Sequence, residues 1–210
     1  MTTTKRGRPR SFDREAALAQ ATLLFWQHGY EGTSISDLTG AMGISPPSLY
    51  AAFGDKRALF TEVVDRYGGT FGAFMEKALD QESDPRAGFA RMLDEAAVSY
   101  TSPEHPAGCL VISAATNYSP QTADVERTLR ARRVANVRSF EARLRDAEAR
   151  GSLPEGADTR ALAVYFAAVV QGMSQQARDG ATTAELRRAA EYAMAAWPEP
   201  PARGAGRAPA

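Results

Sequence analysis

Ser45, Ser48, Tyr50 and Lys56 fall within one short segment. Hydroxyls and an ammonium are groups that can hold an anion such as a phosphate. A second set, Lys5-Arg6-Gly7-Arg8-Pro9-Arg10, places four cations in the first ten residues with no acid among them. His105 and Cys109 lie four apart and raise a copper or redox reading, but Pro106 interrupts any helix between them. A lone cysteine in the apolar run Gly108 to Ala115 is more often a small buried residue. Two histidines and one cysteine are too few for an all-protein zinc site. The chain has no phosphate-cradling glycine loop, no HExxH and no nucleophile elbow, so no enzyme, cofactor or metal is expected.

The 210 residues leave room for one large domain or two smaller ones. Apolar residues at 44% and charged residues at 24% are ordinary globular values. No run approaches a membrane span. The first residues lack the apolar core of a signal peptide, and the single cysteine fits a reducing compartment; both predict a cytoplasmic protein with no membrane partner. A net charge of zero conceals an uneven distribution. Residues 58–120 carry four basic and nine acidic side chains, and residues 121–150 carry eight and five. A basic end on an acidic body suits an anionic polymer bound at one end. A solvated tail would look the same on charge alone.

Helix-forming residues dominate and no period-2 strand is visible, which predicts an all-α chain. The first helix should run from Asp13 to His28 and stop at Gly29. A short helix over Ser36 to Met42, capped by Ser34 or Ser36, precedes Gly43-Ile44. Ser45 then caps a second short helix that opens with Pro46-Pro47 and stops at Gly54. Asp55 caps a long helix to Leu79. Further helices are expected over 85–100, 108–115, 122–150, 158–178 and 183–196. The division is a basic arm (1–11), a three-helix unit (12–57), a helical bundle (58–197), and a Pro/Gly/Ala-rich tail (198–210) whose composition predicts disorder.

Residues 33–56, TSISDLTGAMGISPPSLYAAFGDK, place two short helices around a glycine-containing turn, a helix-turn-helix. Ala41 is read as the small residue between the helices. Ile35, Leu38, Ile44 and Leu49 are read as the core that pushes the second helix outward. The segment Phe12 to Phe60 resembles the DNA-binding domain of the TetR/AcrR family of transcriptional regulators. Gly29-Tyr30-x-x-Thr33, Gly43-Ile44-Ser45, Leu49-Tyr50-x-x-Phe53 and Lys56-x-x-Leu59 carry the resemblance. It covers about a quarter of the chain. The remainder has the family's size and helical pattern.

The resemblance implies DNA-facing roles. Thr33 and Ser34 stand where the motif begins and suit a phosphate. Ser45 and Ser48 lie near the recognition-helix N-terminus, whose dipole also favours phosphate. Tyr50 points its hydroxyl at the DNA backbone in the family, Lys56 suits a phosphate, and Ala51 faces the backbone. Pro46, Pro47, Ser48 and Ala52 take the positions that meet base edges. Proline and alanine cannot make the bidentate bonds of Arg, Asn or Gln. Direct readout is left to thymine methyls, Ser48 and DNA shape. Arg8 and Arg10 of the arm resemble minor-groove hooks.

Paired helix-turn-helix units must sit about 34–36 Å apart, which demands a dimer. Val137, Phe140 and Leu144 of one helix, with Ala161, Val164, Ala168 and Gly172 of another, are the expected interface. A monomeric bundle with both helices internal is the alternative. Phe71, Met75, Phe89, Met92, Cys109, Asn117, Tyr118 and Tyr165 are the expected wall of a small-molecule pocket; read singly, each of the apolar ones also suits plain core. The resemblance implies a double-stranded DNA operator, a small effector and a homodimer, with repression as the family's usual outcome. A second reading is a non-sensing architectural DNA-binding or protein-interaction bundle.

Overall fold

The computed structural model describes residues 12–199. The arm with Arg8 and Arg10, and the tail from residue 200 onward, lie outside them. The described residues form ten α-helices and one 3-10 turn, with no strand among them.

Helix α1 spans Arg14–His28. The Asp13 carboxylate accepts the N–H groups of Glu15 and Ala16 at 3.0 and 3.1 Å. Those are two of the donors that every helix start leaves unpaired. Gly29 ends α1 at φ 74, and a Cβ there would stand 3.0 Å from the Ala114 carbonyl oxygen. Helix α2 spans Ile35–Met42, with Ser34 and Asp37 capping each other reciprocally. Gly43 closes α2 in the left-handed region at φ 66. Helix α3 spans Pro46–Phe53 behind a Ser45 cap. Leu38 and Leu49 are fully buried, and Ile35 and Ile44 pack against them. Ala41 is exposed and lines a groove with Leu24 and Pro103, so Met42, not Ala41, fills the space beneath α2.

Helix α4 spans Lys56–Gly69 and α5 spans Phe74–Gln81. One helix to Leu79 was the expectation, and the chain breaks it at Gly68-Gly69. Glycine costs about 1 kcal/mol against alanine inside a helix, and three occur within five residues. The Gly72 N–H instead donates back to the Tyr67 carbonyl at 2.8 Å. A Cβ on Gly72 would lie 3.1 Å from the Tyr67 ring, so a side chain there would have to push the ring aside.

Helix α6 spans Pro85–Tyr100 and forms the spine of the body, burying Phe89, Met92, Leu93, Ala96, Ala97 and Tyr100. It packs against α5, α8 (Ala123–Ala149), α9 (Thr159–Arg178) and α10 (Thr183–Met194). Phe89 meets the rings of Phe140, Phe166 and Trp197 at centroid distances of 5.6, 4.7 and 5.7 Å. Short helix α7, Leu110–Ser113, is wedged among α1, α4, α8 and α9. Gly108, at φ 79, makes that wedge possible: a Cβ there would stand 2.7 Å from the Ser174 carbonyl oxygen. The buried Ser174 hydroxyl accepts the Cys109 N–H at 2.9 Å.

Candidate nucleic-acid interface

Helix α3 presents Pro46, Pro47, Tyr50 and Ala51 to solvent, Tyr50 half exposed, while Leu49 and Phe53 bury against the head's core. Ala52 packs partly on that core, which takes it away from the outer face. Ser45 and Ser48 stay at the surface end of α3, their hydroxyls 2.9 Å apart. Lys56, at the start of α4, holds its Nζ 4.2 Å from the Tyr30 ring centroid. Partial burial there pulls its pKa below the ordinary lysine value.

Two expected contacts are placed differently. Thr33 is 1% exposed, and its hydroxyl donates to the Gly29 carbonyl at 2.7 Å. It satisfies the carbonyl of the residue that caps α1, so the hydroxyl is already engaged inside the head. The α3 start also offers little to a phosphate. Pro46 and Pro47 have no N–H, and the Ser48 N–H is turned to the Ser45 hydroxyl at 3.4 Å. Ser34 is exposed, with its hydroxyl on the Asp37 carboxylate at 2.6 Å.

The head is clamped to the body. Arg14 pairs with Glu62 of α4 at 2.6 Å, and its guanidinium lies 4.5 Å from the Phe53 ring centroid. Arg66 of α4 pairs with Glu15 of α1. Arg57 reaches Asp124 at 2.8 Å and the Gln121 carbonyl at 3.0 Å. The Tyr30 N–H donates to the Ala114 carbonyl at 2.7 Å. The first two join α1 to α4, and the last two reach the end of α7 and the segment from there to the start of α8.

That same α7 walls a cleft of about 370 Å³, bordered by Val64, Tyr67, Met75, Cys109, Val111 and Asn136. A narrower pocket shares Met75, Cys109, Val111 and Asn136 and is closed by Phe140, Ala167 and Val170. Of the expected wall only Met75 and Cys109 are here. Phe89 and Met92 are fully buried in the α6 core. Phe71 leans outward on Trp26, Tyr67 and His105. Asn117 borders a separate polar pocket beside Glu31. Tyr118 is exposed, and Tyr165 sits on α9 with its hydroxyl donating to the Ala193 carbonyl at 3.3 Å. Tyr67, Val111 and Asn136 went unread because they meet only in three dimensions.

The expected α8 interface is also corrected. Phe140 and Leu144 are 3% and 0% exposed, and Val137 packs against the same core, so the 137–144 spacing marks the face of α8 turned into its own chain. On α9, Ala161, Val164, Ala168 and Gly172 all remain exposed. His105 stacks on Trp26 at 4.4 Å, and no group of three or more potential metal ligands occurs among the described residues. No described helix is long and apolar enough to cross a membrane.

Residues 17–63 match the family model for bacterial regulatory proteins of the tetR family, and residues 72–193 match the tetracyclin repressor-like C-terminal domain. The chain belongs to the tetR family. Within it, the chain is 41% identical over 195 residues to the HTH-type transcriptional repressor ComR of Escherichia coli, covering 92% of this chain and 93% of that one. It is 33% identical to the repressor BdcR of Escherichia coli over 180 residues, 86% of each. Among solved structures, a cysteine mutant of the TetR family regulator CifR, bound to 26-bp operator DNA, superposes with a TM-score of 0.88 at 43% identity. That alignment covers 91% of this chain and all of the other. The tetR membership and the exposed α3 make this protein a helix-turn-helix regulator of transcription.

Proposed function

We propose that the protein is a cytoplasmic repressor that binds an inverted-repeat operator as a homodimer and releases it when a small molecule enters the body cleft. Residues 12–57 act as the DNA-binding unit and 58–197 as the ligand-binding and dimerisation unit. The observation that carries the reading is the exposed face of α3 on a head held to α7, the helix that also walls the cleft. A ligand that moved α7 would act on the Tyr30–Ala114 contact, and through it on the head. The ligand must bind the DNA-incompetent arrangement more tightly. Repression is supported by ComR and BdcR, both repressors. Operator binding is supported by the CifR complex.

Dimerisation is assigned to the small-residue stripe of α9. Ala161, Val164, Ala168 and Gly172 let a twofold mate approach closely, and an apolar stripe left in water calls for a partner. Tyr50, Ser34 and Lys56 meet phosphates. Arg8 and Arg10 enter the minor groove.

The test begins with in vitro selection of duplexes from random DNA by the full-length chain. A unique footprint on an inverted repeat, occupied by two chains, supports the reading. Coating of DNA without a preferred site supports an architectural protein instead. A thermal-shift screen with operator release as its second readout then identifies the effector.

A further inference from the structure

The end of α3 that a helix-turn-helix turns toward base edges is nearly stripped of hydrogen-bonding groups. Pro46 and Pro47 occupy its first turn without an N–H. The Ser48 N–H goes to the Ser45 hydroxyl, and the Leu49 N–H to the Ser45 carbonyl at 3.0 Å. The Ser45 and Ser48 hydroxyls share one hydrogen bond and so keep a single O–H for any outside partner. Between Ser45 and Gly54 there is no Arg, Lys, His, Asn, Gln, Asp or Glu. What remains exposed is the two pyrrolidine rings at the N-terminal end and, further along, Tyr50 and the Ala51 methyl.

We propose that α3 reads thymines through their 5-methyl groups, which pack on Pro46 and Pro47. The inference rests on the operator-binding reading above and names what that site recognises. In the major groove thymine alone carries a methyl, cytosine offers an amino donor, and purines offer polar N7 edges. Two proline rings, which carry neither donor nor acceptor, leave the polar edges they cover unpaired once water is expelled, whereas a methyl loses nothing. The structure narrows the choice among methyls, Ser48 and shape, because Ser45 and Ser48 together keep one O–H for a base edge.

The experiment uses the full-length chain and a duplex obtained by in vitro selection. Each thymine of one half-site is replaced in turn by deoxyuridine, which keeps every hydrogen-bonding edge and removes only the methyl. At two or more positions affinity should fall by about fourfold each, the worth of one buried methylene-sized group. Pro46→Ala and Pro47→Ala, checked for an unchanged circular dichroism spectrum and melt, should shrink those penalties. Uridine duplexes that bind like the parent at every position overturn the inference while leaving operator binding intact. Penalties that persist unchanged in both proline variants also overturn it, since the methyls then rest elsewhere. Failure to select any preferred sequence defeats the operator reading itself.

Discussion

The Glu31 carboxylate accepts the N–H of Ser119 at 3.1 Å, and the Thr122 hydroxyl donates to the same oxygen. One side chain thereby joins the loop after α1 to the turn before α8. The Thr122 hydroxyl first, and the Ser119 N–H second, hold the Glu31 pKa below its ordinary value. A lowered folded-state pKa means that the clamp contributes fully above the unfolded value of about 4.3 and is lost as pH falls through the folded one. Protection from hydrogen exchange at residues 114–122, taken relative to the intrinsic rate at each pH, should therefore fall in acid, below the unfolded glutamate value of about 4.3. Glu31→Gln should show the quicker exchange already at neutral pH, with helix content unchanged. Exchange that matches the parent chain at neutral pH would show that the carboxylate does not hold this joint.

The two faces of α8 and α9 separate by mutation. Phe140→Ala and Leu144→Ala remove side chains buried within the chain and should destabilise it by roughly 2–5 kcal/mol in chemical denaturation. Val164→Glu places a charge at a position 48% exposed and should leave the unfolding of the isolated chain nearly unchanged. It should instead split the dimer in sedimentation and weaken operator binding by about tenfold or more, because one head alone cannot span both half-sites. A Val164→Glu chain that sediments as the parent would remove α9 from the interface.

Most of the head was legible because its signals are local. Asp13, Ser34, Ser45 and Asp55 each cap a helix through a side chain a few residues from the N–H it accepts, and those spacings are written in the sequence. The body was less legible. Periodicity shows that Phe140 and Leu144 lie on a buried face, but one chain's core and a partner's surface bury the same pattern. Tyr67, Cys109 and Asn136 meet at the cleft from α4, α7 and α8, separations that no window along the chain relates. The break at Gly68-Gly69 was hidden because Phe71, Phe74 and Met75 continue the helical apolar spacing across it.

Cys109 is predicted to be inert. It is buried, and that burial pushes its thiol above the ordinary cysteine pKa. The thiolate is the reactive form, so its population at neutral pH falls below that of a free cysteine. An aromatic disulfide reagent should label the native chain far more slowly than the denatured chain, in which one thiol reacts. Cys109→Ser should retain effector-induced release. Rapid labelling of the folded protein, or loss of induction in the serine variant, would return the thiol to a sensing role.

Gly29 should resist replacement for two separate reasons. Its φ of 74 strains any residue with a Cβ, and that Cβ would press on the Ala114 carbonyl oxygen. The Ala114 carbonyl must stay in place because it accepts the Tyr30 N–H. Gly29→Ala should cost about 1–3 kcal/mol and loosen the joint at Tyr30. A denaturation midpoint equal to that of the parent would show that the loop yields without cost.

Deleting residues 1–10 should weaken operator binding and flatten its salt dependence. The described head has few uncommitted cations. Arg14 is held by Glu62, Arg57 by Asp124, and Lys56 lies against the Tyr30 ring. Phosphate neutralisation must then come largely from Lys5, Arg6, Arg8 and Arg10. Each phosphate contact contributes about 0.9 to the slope of log affinity against log salt, so losing the arms of both subunits should lower that slope by a few units. On the proposed reading α3 and the arm act in different grooves, so the deoxyuridine penalties should survive the deletion. An affinity and slope unchanged by deletion would remove the arm from the interface and leave the phosphates to Lys56, Ser34 and Tyr50.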